Sequence, residues 1–395
     1  MCLFVGVALA SLPGIARADD PVYDANGLQY GRGYFSPLPF ERIDTVTGNV
    51  YLSFTDFVLP GNAGFSLSVL RTYNSRDARW RFGIGQAPLY FLYNLPNADP
   101  SDIDFVTADG AKHNAEGGGA QTMTQEFWQF TKATNTLELP NGLVAIYGQA
   151  LGTTGRYLTE LHDAFGNVVQ FQWGAGTDHL ERISQDVQGS PRHARYVEVH
   201  DWAGDMPGSL QLDTDFWTYV WTTSFTGIPQ LTRATAPGGT RLDYDYGYDA
   251  QGGVKMTGLT TPNGAHVTYA WAAATFPTTP ASRIAIQTRA VSGNVPAASW
   301  SFDWQNTGRR LVLSGPTARV TYDTIVQNDV PVGSSRTIAE PNGTVRDTES
   351  LTYETIPNPV HPLPALKTVT ETRDGRTFTT TYTYGANDYA NYGQP

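Results

Sequence analysis

From Val168 to Trp173 the chain alternates. Val169, Phe171 and Trp173 share one face, and Gln170 and Gln172 share the other. A period of two marks a half-buried strand. Upstream, a first arm runs from Arg156 to Leu161. Asp163, Gly166 and Asn167 then supply turn chemistry, with short polar side chains that bond local backbone and a glycine free to take positive φ. The stretch Arg156–Trp173 is therefore predicted to be a β-hairpin.

The pattern recurs. Turn segments fall at Ala108–Gly110, Pro140–Gly142, Ala164–Asn167, Val187–Gly189, Pro237–Gly239, Pro262–Gly264, Val291–Gly293, Leu313–Gly315, Pro341–Gly343 and Arg373–Gly375. Most precede an alternating strand rich in Thr and aromatics, such as Arg241–Tyr248, His266–Trp271, Ser299–Trp304, Arg319–Tyr322 and Thr377–Tyr384. Regular spacing of turns at roughly twenty to thirty residues is a repeat signature. One hairpin is only marginally stable alone, so the units must pair edge to edge. The fold class that follows is all-β: repeated antiparallel hairpins forming a long curved sheet. No stretch shows a strong helical period with caps.

Nearer the start, Thr47-Gly48-Asn49 reads as a turn between short strands, and Leu59-Pro60-Gly61 ends the next one. Phe65, Leu67, Val69, Arg71 and Tyr73 then fall on one face. An arginine on an inward face needs a partner, because an unpaired buried charge is costly. Asp56 is the expected partner of Arg71. Asp20 to Phe40 reads as an irregular arm.

Composition narrows the class. Only 16% of the 395 residues are charged and 12% are aromatic, which argues against disorder. Forty Gly and 25 Pro demand many turns, which fits short strands. The net charge of -11 and the absence of a basic stripe argue against a nucleic-acid partner. The single cysteine, Cys2, excludes an intramolecular disulfide and a cysteine-based metal site. Leu3 to Ile15 is apolar and is followed by Ala16-Arg17-Ala18, the pattern of a secretory signal with its cleavage site. The apolar run is too short to span a bilayer. The expected division is a signal peptide at 1–18, an N-terminal β-region at 19–100 and hairpin repeats at 101–395, with the product secreted or at the cell surface and no membrane span in the mature chain. The repeats stop without a capping unit, so the chain is expected to be a fragment of a longer protein.

The segment Thr55-Asp56-Phe57-Val58-Leu59-Pro60-Gly61, then Arg71-Thr72-Tyr73-Asn74-Ser75, then the glycine-turn and aromatic-strand repeats, resembles the N-terminal portion of Rhs/YD-repeat proteins. The resemblance runs from about Asp44 to the C-terminus. One departure is that Gly83-Ile84-Gly85 is followed by Gln86 where family members often carry Trp. The resemblance implies a β-sheet that spirals into a hollow shell. In bacterial members it encloses a C-terminal toxin or effector or serves at the cell surface.

Candidate chemistry is sparse. The histidines His113, His162, His179, His193, His200, His266 and His361 show no metal-ligand spacing. Asp163, beside His162, is accounted for by its turn. Asp99, Asp102, Asp104 and Asp109 read as a solvated acidic loop without the EF-hand spacing, a weak calcium site being the lesser alternative. Asp243, Asp245 and Asp249 interleave with Tyr244, Tyr246 and Tyr248, which reads as an aromatic inner face with a solvated outer one. The Asn342-Gly343-Thr344 sequon sits on a repeat turn. No serine elbow, phosphate loop or dinucleotide fingerprint appears. Paired carboxylates for glycoside hydrolysis are a matter of spatial separation that sequence leaves open. No catalytic, cofactor-binding or metal-binding residue is assigned, and no cofactor. The expectation is an exported, non-enzymatic scaffold that encloses or displays a C-terminal segment of the same polypeptide, its cargo or toxin. The alternative is a secreted carbohydrate-binding or carbohydrate-active β-protein, with cell-surface carbohydrate as partner and Trp271 and Trp304 among its contacts.

Overall fold

The computed structural model describes residues 27–28, 32–61, 65–95, 98–117, 119–124, 126–175, 179–186, 195–202, 206–225, 227–276, 282–327, 330–356 and 363–384. The signal segment, His193, His361 and the Val187–Gly189 turn lie outside them. The described chain is almost entirely antiparallel β, as the alternation predicts.

Two sheets account for it. The first contains β1 (Tyr34–Phe35), β2 (Glu41–Asp44), β3 (Val50–Leu59), β4 (Leu67–Asn74) and β5 (Arg79–Ile84), each paired with the next. The Thr47-Gly48-Asn49 turn joins β2 to β3, with Gly48 at φ 70°. Leu67, Val69, Arg71 and Tyr73 are all buried, so the predicted face of β4 is present. The expected irregular arm contains a strand, β1, because Thr45 N–H donates to Gly33 O and Tyr34 falls opposite Asp44.

The second sheet begins at Tyr90–Leu95 and runs to Arg376–Thr381. From Glu160–His162 onward every strand pairs with the next in sequence. Its inner face touches the first sheet from the Gln185–Phe65 bond to the packing of Phe35 on Trp300 and Phe302. The long sheet is therefore curved around the short one. Near its start, Phe91, Phe105, Phe130 and Tyr147 pack edge to face at 5.3–5.6 Å. All four are fully buried, and each such ring contributes about 1.5–3 kcal/mol by leaving water.

The Arg156–Trp173 hairpin differs from expectation in its first arm. Gly155–Tyr157 pairs with Tyr90–Leu95, and a separate strand, Glu160–His162, pairs with Val168–Trp173. Leu158 causes the break. Its side chain is buried, its N–H donates to Leu89 O, and its carbonyl accepts Trp173 Nε1–H at 2.7 Å. The turn is as predicted, with Gly166 at φ 83° and Asp163 accepting the N–H groups of Phe165 and Asn167. The expected acidic loop is also corrected. Asp99 to Val106 is a strand, because the amides of Asn94 and Asn114 on the two flanking strands each donate to both Asp102 and Asp104.

One joint recurs along the long sheet and gives the aromatic positions their physical meaning. Trp173 donates to the carbonyl of Leu158, Trp221 to Pro207, Tyr246 to Leu231, Trp271 to Met256 and Tyr353 to Gly333, at 2.7–2.8 Å. In each of these the aromatic's strand slips by one residue against the following strand, directly before the aromatic, while the accepting carbonyl lies on the preceding side. A bulge frees a carbonyl from the ladder and increases local twist. Leu231, Met256 and Gly333 themselves flank such a slip against the strand before them, and the aromatic donor satisfies their carbonyls, which would otherwise remain unpaired buried acceptors. Trp202, Trp304 and Tyr384 make the same reach to Leu180, Ile286 and Leu366. No helix among the described residues is long and apolar enough to cross a membrane.

Trp271→Phe keeps the ring and deletes the donor. The Met256 carbonyl then loses its partner, which costs about 1–3 kcal/mol. The expected result is a lower midpoint of chemical unfolding, with faster amide exchange concentrated on Val254–Thr260 and Ala265–Thr275.

Candidate functional site: a charged, aromatic interface between the sheets

The contact between the two sheets holds most of the buried polar chemistry. β3 carries a bulge between Thr55 and Phe57, which leaves Asp56 outside the regular pairing and re-aims its carboxylate. Arg71 meets it with two hydrogen bonds, Nη2 to Oδ1 at 3.0 Å and Nε to Oδ2 at 3.3 Å. The pair expected from sequence is thus formed. It is also extended by the long sheet, which sequence did not reveal. Tyr219 donates to Asp56 Oδ2 at 2.5 Å, and Arg71 Nη1 donates to the Tyr244 hydroxyl at 2.5 Å. Phe54 and Trp80 lie 4.7 and 5.5 Å from the guanidinium carbon. The aromatic faces supply cation–π attraction where water is excluded.

A second centre was not visible in the sequence. Glu41 on β2 is fully buried and accepts from Arg289 Nε and Nη2 at 2.8–3.0 Å and from the Tyr269 hydroxyl at 2.9 Å. The Trp300 ring lies 4.8 Å from the Arg289 guanidinium carbon. Alternation does place Glu41 on the face of Ile43, but its partner is 248 residues away and nothing local announces it. A third pair, Arg32 with Asp44, is also buried, and Asp44 further caps the β2–β3 turn through Val46, Thr47 and the Thr47 hydroxyl.

Bonds to backbone and hydroxyl groups complete the seam. Lys255 Nζ donates to Ser75 O, Gln230 Nε2 to Ala78 O and Trp80 Nε1 to the Tyr246 hydroxyl. Met256 N–H donates to the Tyr73 hydroxyl, and Ile286 N–H to Gly48 O. Met256 and Ile286 are also the carbonyls that accept Trp271 and Trp304. At these residues the backbone is split, its N–H going inward and its C=O to the next aromatic. Where the family resemblance breaks, Gln86 substitutes amide for strand, accepting Ser68 N–H and donating to Ser66 O.

Burial shifts the protonation equilibria here. Burial pushes the Tyr244 phenol up to about 12, Arg71 acting against the shift. Burial also raises Tyr219, helped by the charge of Asp56, and raises Tyr269, helped by Glu41. Burial lowers Lys255.

The other sequence candidates are dispersed. His113 Nδ1 meets Glu126 at 2.9 Å and its ring packs on Trp128 at 4.3 Å. His162 pairs with Glu160, His200 with Glu198, His179 stacks on Trp202, and His266 meets the Thr260 hydroxyl. Among the described residues no group of three or more His, Cys, Asp or Glu side chains converges. Asp109 is held by Leu28 N–H and the Thr107 hydroxyl, and Asn342 accepts Thr344 N–H within its turn. In the Arg241–Tyr248 strand, Tyr244 is buried and Asp243 faces Arg233 and Arg241, but Tyr248 is exposed. Trp271 and Trp304 are half-buried, packed on the core with their N–H groups committed to the Met256 and Ile286 carbonyls.

Residues 40–114 match the family described as a domain of unknown function, DUF6531. That span holds Glu41, Asp44, Asp56 and Arg71, and it runs through β2–β5 into the start of the long sheet. No curated protein matches the chain. Among solved structures, the chain is similar to a Tc holotoxin pore of Photorhabdus luminescens at 10% identity and TM-score 0.33, covering 84% of this chain and 22% of that one. It is also similar to TcdB2–TccC3 at 8% identity and TM-score 0.37, covering 87% and 19%, and to TcdB2–TccC3 without its hypervariable C-terminal region at 9% and 0.33, covering 86% and 22%. The chain thus spans about a fifth of the length of the solved chains it matches.

Two outcomes follow. Asp56→Ala leaves Arg71 buried without its counter-charge and should cost about 3–5 kcal/mol in a chemical-unfolding experiment. Raising the pH acts through the tyrosines. Their folded pKa values lie above the unfolded value near 10, so their stabilisation is complete below pH 10 and is lost as pH rises toward 12. Thermal midpoints should hold to about pH 10 and then fall, and phenolate absorbance from the buried tyrosines should appear together with unfolding.

Proposed function

We propose that this chain is the N-terminal part of an exported, non-enzymatic Rhs/YD-repeat scaffold that encloses or displays a C-terminal segment of the same polypeptide. The carrying observation is geometric. A long antiparallel sheet curves around a short one, and the buried Glu41–Arg289 pair, with phenols bonded to the Asp56–Arg71 pair, fixes the two together. Such a wall presents its polar outer face to water and keeps an aromatic inner face dry. The motifs Thr55–Gly61 and Arg71–Ser75, which carry the family resemblance, form β3 and β4 at the centre of the short sheet. The Asp56–Arg71 centre then has a scaffold role: it seats the short sheet within the curve. The apolar signal-like run at Leu3–Ile15 supports export.

The test uses the natural polypeptide encoded by the gene, with whatever follows Pro395. Limited proteolysis should leave the downstream segment intact while the wall is closed. Asp56→Ala combined with Arg289→Ala should shorten its survival at least tenfold. Cleavage of the downstream segment at the rate of the same segment expressed alone would overturn the enclosing role.

A further inference from the structure

We propose that the outer edge of β5 accepts an extended peptide strand, with one apolar side chain of that peptide entering an aromatic cavity beside it. The proposal rests on the scaffold reading for the source of the peptide, a segment held inside the wall. β5 ends the short sheet and pairs only with β4. Gly85 N–H donates to Ser68 O, and the register Arg71 opposite Phe82 then turns the backbone of Arg79, Arg81 and Gly83 toward β4. The N–H and C=O groups of Trp80 and Phe82 face the other way, and no partner for them lies among the described residues. Such an edge is a template for strand addition.

The edge opens onto a cavity of about 350 Å³. Arg79, Trp80, Arg81, Phe82 and Gly83 all line it. Alternate strand residues point to opposite faces, so five consecutive lining residues mean that the edge itself fronts the space. The far side is built from Tyr90, Leu151, Tyr157, Trp173, Trp202 and Met206. Trp173 stacks on Tyr157 at 3.9 Å and Trp202 on His179 at 4.8 Å. Both indole N–H groups are already bonded to carbonyls, so these rings offer apolar faces. The cavity selects an aliphatic or aromatic side chain, and the edge selects extended backbone.

Charge fixes the remaining preference. Arg81 is paired with Asp77, whereas Arg79 at the rim has no carboxylate within ion-pair range among the described residues. A peptide with an acidic residue at that end is favoured. A second copy of this chain, with net charge -11, is repelled overall.

The probe is a blocked pentapeptide, Glu-Val-Leu-Val-Thr, titrated calorimetrically into the full chain beside the same peptide N-methylated at alternate amides. Saturable binding is expected, with affinity at least tenfold weaker after N-methylation. Leu151→Trp, which fills the cavity, should abolish binding, and Arg79→Glu should weaken it severalfold without unfolding the protein. Absence of binding by the unmodified peptide, or equal binding by the methylated one, overturns the proposal. Binding unchanged by Leu151→Trp in a folded variant also overturns it. The protection experiment on the natural polypeptide reads enclosure independently, so failure here leaves that reading standing, and failure there leaves this edge to be judged by the peptide alone.

Discussion

A charge moved from water into a protein interior must be met there, and this requirement organises the molecule. Asp56, Arg71, Glu41 and Arg289 lie between two sheets where solvent does not reach. Each carboxylate receives a guanidinium and a phenol. Glu41 of the short sheet finds its guanidinium and phenol, Arg289 and Tyr269, on the long one, whereas Asp56 and Arg71 pair within the short sheet and take Tyr219 and Tyr244 from the long one. Buried ion pairs are weak evidence for net stability, but losing one partner is severely destabilising. The effect is to make the docked arrangement of the sheets far better than any shifted one, because a shift of a few ångströms would strand Glu41 and Arg289 and take the phenols from Asp56 and Arg71.

The long sheet meets the opposite constraint, an excess of backbone rather than of charge. Curving a sheet breaks ladder bonds at bulges, and each break leaves a carbonyl to be satisfied. The recurrent Trp and Tyr donors resolve this at Leu231, Met256 and Gly333, and meet the carbonyls of Leu158 and Pro207, just outside strands, in the same way. Phenylalanine would pack as well and leave the carbonyl bare. This is a physical reason for Tyr and Trp at those positions.

Much of the architecture was legible because its signals are local. Alternation gave the strands, Gly and Asn gave turns such as Asp163–Asn167, and the cost of an inward Arg71 pointed to Asp56 fifteen residues away. What escaped was non-local or irregular. The break at Leu158 depends on Leu89, far upstream. The strand at Asp99–Val106 depends on two asparagines that lie on its neighbours. Arg289 and Glu41 meet only after the sheet has curved, so no spacing rule joins them. The bulges themselves slip the register by one residue, which a period-two reading passes over.

The aromatic joints make curvature a property of each repeat and not of the whole. Each aromatic donor reaches a carbonyl close by on the preceding side, and the joints at Tyr246, Met256 and Ile286 are bonded to the short sheet as well. Adding or deleting a unit away from the short sheet therefore lengthens or shortens the long sheet without redesigning a joint. Only the strands seated on the ion pairs of the short sheet are fixed in number and place. Such a construction lets evolution change the extent of the long sheet by simple duplication.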